Sequence, residues 1–118
     1  MSEQTTAPFV VTCPDCEVTK ATDDPDETVA FHRRHRNLTG HDVVWTRAAL
    51  DVESGDATDL KPVVAALDDQ FEDGVPIGIV CAAMSERGRS IRETLASIHT
   101  LRMRGELYEP RDDHLRPF

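Results

Sequence analysis

The chain has 118 residues, enough for one ordinary domain or two small ones that would each be short of apolar core. Its 22 acids outnumber its 13 bases for a formal charge of −9, and Lys20 and Lys61 are its only lysines; an acidic excess with so little lysine is the surface chemistry of a protein kept soluble in the cytosol of a salt-accumulating halophile. No apolar run approaches the roughly 18 residues of a membrane span, and the first 30 residues lack a basic segment leading into an apolar one, so a soluble, cytoplasmic protein with no membrane partner is expected.

Residues 1–8 are polar and aperiodic and read as a disordered tail. Phe9 to Thr12 form a short strand-like run that ends at Cys13-Pro-Asp-Cys16. Residues Asp15 to Asp26, rich in Asp and Thr and holding Pro25, read as a loop giving way to a helix. That helix is expected over Glu27 to Asn37, with its bases near the negative end of the helix dipole and Gly40 as its stop. A strand over Val43 to Thr46 follows. Residues 9–48 thus make one small module, and the polar stretch 49–58, with Glu53, Ser54, Gly55 and Asp56, reads as a linker.

From residue 59 onward the periodicity is helical. Asp59 is placed to cap a helix in which Leu60, Val63, Val64, Leu67 and Phe71 recur on one face, with Pro62 in the permissive first turn. Gly74 breaks it, Val75 serves as a one-residue strand, and Pro76 opens a second helix closed by Gly88. Ser90-Ile-Arg-Glu93 has the capping-box pattern and starts a third helix that ends at Gly105. Strands over Glu106 to Glu109 and Leu115 to Phe118 flank the last turn. Three helices and a hairpin are the winged helix-turn-helix order, so residues 59–118 are expected to be a winged-helix domain. Tyr108, Phe71 and Phe118 are expected in its core, Cys81 as a buried small residue, and His99 and His114 on its surface.

Three cysteines is an odd count, and two of them form a CxxC, so a metal site with one buried thiol fits better than a disulfide framework. A CxxC turn presents two thiolates to one side of a tetrahedral zinc, and the other two ligands must come from nearby imidazoles. Cys16 and His35 are separated by 18 residues and His35 and His41 by five. Cys13, Cys16, His35 and His41 are the expected ligands, with His32, three residues before His35 and on the same helical face, as the rival. A structural zinc contributes on the order of 10 kcal/mol to the folding of such a peptide, so metal loss is expected to unfold residues 9–46 alone. No HExxH, no second thiolate pair beside an HxE and no glycine-rich phosphate loop is present, so an enzyme is not expected.

Cys13-Pro-Asp-Cys16, His35 and Thr39-Gly40-His41 resemble a haloarchaeal zinc finger of the two-Cys, two-His type, which implies a ββα fold around zinc. One departure is His32, which stands where such a finger usually has a large apolar residue. Gly74-Val-Pro76, Gly88, Leu101 to Gly105 and Glu106-Leu-Tyr-Glu-Pro110 to Arg116 resemble the C-terminal winged helix of archaeal minichromosome maintenance helicases, which implies a regulatory or docking role beside DNA.

The fold expected is therefore α+β: a zinc-finger-like ββα module followed by a winged helix with three helices and a hairpin wing. From Arg87 to Arg116 seven arginines face five acids, a local excess of bases in an acidic chain. Arg89, Arg92 and Thr100 on the third helix and Arg111 in the wing are the candidate DNA contacts. The function expected is that of a DNA-associated regulator of transcription or replication, monomeric or homodimeric. The alternative is an adaptor that docks on replication or transcription machinery without touching DNA.

Overall fold

The computed structural model describes residues 7–118. Most of the expected tail, residues 1–6, lies outside the described residues. Its last two residues are tied down: the Pro8 carbonyl accepts the Ala49 N–H at 2.9 Å, and the Ala7 carbonyl accepts from Arg47 at 3.0 Å.

Strand β1 (Phe9–Cys13) is the middle of an antiparallel three-stranded sheet, between β2 (Val18–Thr22) and β3 (Val44–Ala48). Alternation along β1 buries Phe9, Val11 and Cys13. β2 occupies sequence expected to be loop. It carries no apolar alternation, but Val18, Thr19 and Thr22 are β-branched and suit a pleated surface. Pairing with β1, from Cys13↔Val18 to Phe9↔Thr22, sets its place.

Helix α1 (Pro25–Thr39) is longer at both ends than the expected Glu27 to Asn37. Asp24 caps it by accepting from the Asp26 N–H, and Pro25 sits in the first turn, where its missing N–H costs nothing. Gly40 ends it at φ 77°, a left-handed conformation that glycine adopts without strain, and donates its N–H to the Arg36 carbonyl at 2.8 Å. The ββα order is present, with β3 added as a third strand.

The second part runs α2 (Leu60–Asp68), β4 (Val75–Pro76), α3 (Ile77–Ser85), α4 (Ile91–Met103), β5 (Leu107–Arg111) and β6 (His114–Pro117). β6 is the middle of a second antiparallel sheet, with β4 and β5 at its sides. α2 buries Leu60, Val63, Val64 and Leu67, but it stops before Phe71, which packs against the core from the following turn. Ser90 and Glu93 form the expected capping box on α4. The described residues thus form an α+β fold of four helices and two small antiparallel sheets.

Residues 49–58 contain no helix or strand, yet they are held at several points. Gln70 bonds both the N–H and the carbonyl of Glu53, and the Arg87 guanidinium donates to the carbonyls of Ser54, Gly55 and Ala57. One buried cluster joins Val11, Val29 and Val43 from the first part to Val63, Leu67, Val80, Met84, Ile91 and Leu115 from the second. The tightest junction is between α1 and α3. The Gly78 N–H donates to the Asp26 carboxylate at 2.7 Å, and a Cβ on Gly78 would overlap the backbone of Pro25 and Asp26. Cys81 is fully buried, as expected. Tyr108 and Phe118 are not core: they are 36% and 74% exposed and lie against each other at 4.7 Å. Tyr108 sits on the outer side of β5 and Phe118 follows the end of β6, while Leu107 and Leu115 take the inward positions.

Candidate metal centre

The Cys13-Pro-Asp-Cys16 turn joins β1 to β2. Its closing bond runs from the Glu17 N–H to the Cys13 carbonyl at 2.8 Å, with Glu17 at φ 60°. Cys13 ends the inward-facing row of β1 and is buried, while Cys16 stands exposed at the tip. The imidazoles come from the other end of α1. His35 lies one turn before its C-terminus and stacks on Phe31 at 5.6 Å and 17°. Thr39 donates its hydroxyl to the His35 carbonyl at 2.7 Å and accepts the His41 N–H at 3.1 Å, so one side chain ties both histidine positions across the Gly40 turn.

The ligand atoms of Cys13, Cys16, His35 and His41 all lie within 4.8 Å of one another. His41 Nδ1 is 3.2 Å from Cys16 Sγ and 3.8 Å from Cys13 Sγ. Bond lengths of about 2.0–2.3 Å around a tetrahedral zinc separate its ligand atoms by about 3.3–3.8 Å, so the four converge to within about an ångström of that geometry. His35 Nε2 is buried and has no hydrogen-bond partner. Such an orphan costs about 1–3 kcal/mol when nothing satisfies it, and a cation at the centre of the cluster would do so. Desolvation first, then the hydrogen bond and charge of Cys13, raises the Cys16 thiol above its ordinary value. An ion would relieve that repulsion and release protons on binding. The donor set therefore fits a metal ion.

His32 is not part of the cluster. It is 3% exposed and lies toward α4, where it lines a cavity with Arg92 and Leu95. Burial pulls its imidazole below its ordinary value, against the raising influence of Asp42. It fills the buried position that a finger usually gives to an apolar residue, and His35, not His32, lies in the cluster. Phe31 and Thr39 are site residues that ligand spacing does not reveal; Phe31, four residues before His35, could have been found as its helical neighbour. Cys81, the third thiol, lies apart, its pKa pushed up by burial to about 12.

The four candidate DNA contacts are not gathered on one surface. Arg89 and Thr100 share a groove of about 570 Å³ between α2 and α4, and Arg89 has no ion-pair partner among the described residues. Arg92 turns to the α1 side, 3.6 Å from Asp42. Arg111 pairs with Asp73 at 3.6 Å. At the hairpin turn, Asp113 accepts from Arg33 of α1 through both carboxylate oxygens, each at 3.2 Å, so the turn is tied back to the first part of the chain.

Among the described residues no helix is long and apolar enough to cross a membrane. Two family models match the chain: HVO_B0008 N-terminal over residues 10–47, and HVO_B0008 C-terminal domain over residues 65–115. Neither a curated protein nor a solved structure matches it.

Proposed function

We propose that this chain, which carries the HVO_B0008 N-terminal and C-terminal domains in tandem, is a non-enzymatic, DNA-associated regulatory protein whose first part is organised by a structural zinc. The observation that carries the reading is the convergence of two thiols and two imidazoles at the end of a β-hairpin and a helix. Two thiolates with two imidazoles are the donor set of closed zinc sites, and four protein ligands leave no open position for substrate. The order α2, β4, α3, α4, then the β5–β6 hairpin, with β4 paired to β6, supports reading the second part as a winged helix. Arg89, in the turn just before α4, Thr100 on α4 and the bases around them are its contribution toward phosphate.

Fluorescence anisotropy with duplex and single-stranded oligonucleotides tests the DNA association. Replacing Arg89 and Arg92 together by Ala weakens binding about tenfold or more on this reading. Absence of wild-type binding to either form contradicts it. The second reading, a protein-docking adaptor, is favoured by the exposed Tyr108–Phe118 pair, because paired exposed aromatics are what interface centres are built from. A nuclease-resistant complex that is lost on Tyr108→Ala and Phe118→Ala supports the adaptor over the DNA regulator.

A further inference from the structure

We propose that the cavity between α1 and α4 is a binding site for a phosphate group. It has a volume of about 370 Å³ and is lined by His32, Arg33, Arg36 and Asn37 from α1 and by Arg92 and Leu95 from α4. Three guanidiniums converge here in a chain whose formal charge is −9. Their side chains remain partly open to solvent, at 46% for Arg33, 38% for Arg36 and 62% for Arg92. His32 is 3% exposed, and its Nδ1 is buried without a hydrogen-bond partner. The site therefore joins solvent-facing cations to an unsatisfied polar atom inside.

Two carboxylates hold the arginines in place without using them up. Asp42 contacts one terminal nitrogen of Arg36 and one of Arg92, and Asp113 contacts one of Arg33. A guanidinium has five N–H donors in a planar fork, so each retains donors for a further acceptor. Three cations against two anions leave the cavity net positive. An oxyanion with several acceptor oxygens matches that arrangement, and arginine forks favour phosphate geometry. A metal ion would find no free carboxylate here. The cavity exceeds a bare phosphate and is bordered by Leu95, so a phosphate ester fits with its organic part toward the open side. The site does not rest on the DNA reading, although Arg92 belongs to both: a backbone phosphate and a free phosphomonoester present the same group.

The test is a calorimetric titration of the zinc-loaded full chain with inorganic phosphate in a chloride buffer. Saturable binding is expected. Arg92→Gln should weaken it at least tenfold, and so should His32→Leu, which keeps the buried position filled. Lys20→Gln, which removes the same charge from β2 beside the first turn of α1, should leave it unchanged. A duplex oligonucleotide is then added as competitor: displacement of phosphate identifies the nucleic-acid backbone as the source of the group, and no displacement identifies a small phosphate compound. Either outcome supports the site. No saturable uptake by the wild type overturns it, as does equal uptake by the Arg92→Gln and His32→Leu variants with unchanged circular dichroism. DNA binding by a wild-type chain that takes up no phosphate overturns this site and leaves the DNA association standing.

Discussion

His32 and His35 are three residues apart on α1 and end in different surroundings. A step of three residues turns a helix by about 300°, so both rings project from neighbouring strips of one face. The strip of His35 looks toward the cysteine turn, and that of His32 toward α4. His35→Ala should therefore abolish stoichiometric metal binding, whereas His32→Leu should retain it, as read by elemental mass spectrometry. The four-residue cluster was legible because CxxC and the His-to-His spacing constrain each other. The fate of His32 was not, since it depends on a helix more than fifty residues further along. Asp26 gives a second prediction at this scale. Burial, outweighing the Gly78 hydrogen bond, raises its carboxyl above the ordinary value. The contribution of this group to stability is thus fully present below the ordinary Asp value and lost as pH rises through the raised one. Asn at this position still accepts the Gly78 N–H and carries no charge. Asp26→Asn should therefore gain in melting temperature relative to the parent as pH rises from 4 to 7; a constant difference contradicts it.

Elements were legible where local chemistry decides them. Ser90 and Glu93 start α4 through a reciprocal pair of bonds, each near 3 Å. Ser90→Ala should cost about 0.5–2 kcal/mol in denaturant titrations. The apolar stripe of α2 and the glycine stop of α1 belong to the same class. β2 was not legible, because its residues are exposed or half-buried and its pairing with β1 is a tertiary fact. The crossing of α1 over α3 was equally hidden. Gly78 sits inside an apolar helix, where glycine is usually a weakness, yet its missing Cβ is what lets the Pro25–Asp26 backbone approach. Gly78→Ala should lower stability by about 1–3 kcal/mol, because backbone rather than a flexible side chain must give way. A neutral or stabilising effect contradicts this packing.

At the scale of the molecule, the two parts read from composition share one buried cluster. Zinc loss was expected from the sequence to unfold residues 9–46 alone, but Val29 and the first turn of α1 cover α3, so that loss would also bare the second part. Asp42 makes a further link: it follows His41 of the cluster and contacts both Arg36 of α1 and Arg92 of α4. The linker was legible as irregular backbone but not as backbone held by Arg87 and Gln70. With coupling of this kind, a metal held by the cluster would support the whole fold rather than a detachable finger. The most direct test is thermal unfolding of the purified chain before and after chelation, with metal content measured alongside. A fold supported throughout by zinc is expected to show one zinc per chain and a single transition that falls sharply on chelation, with amide exchange rising in α3 as well as in α1. A metal-free chain that melts at the same temperature as the zinc-supplemented one would contradict it.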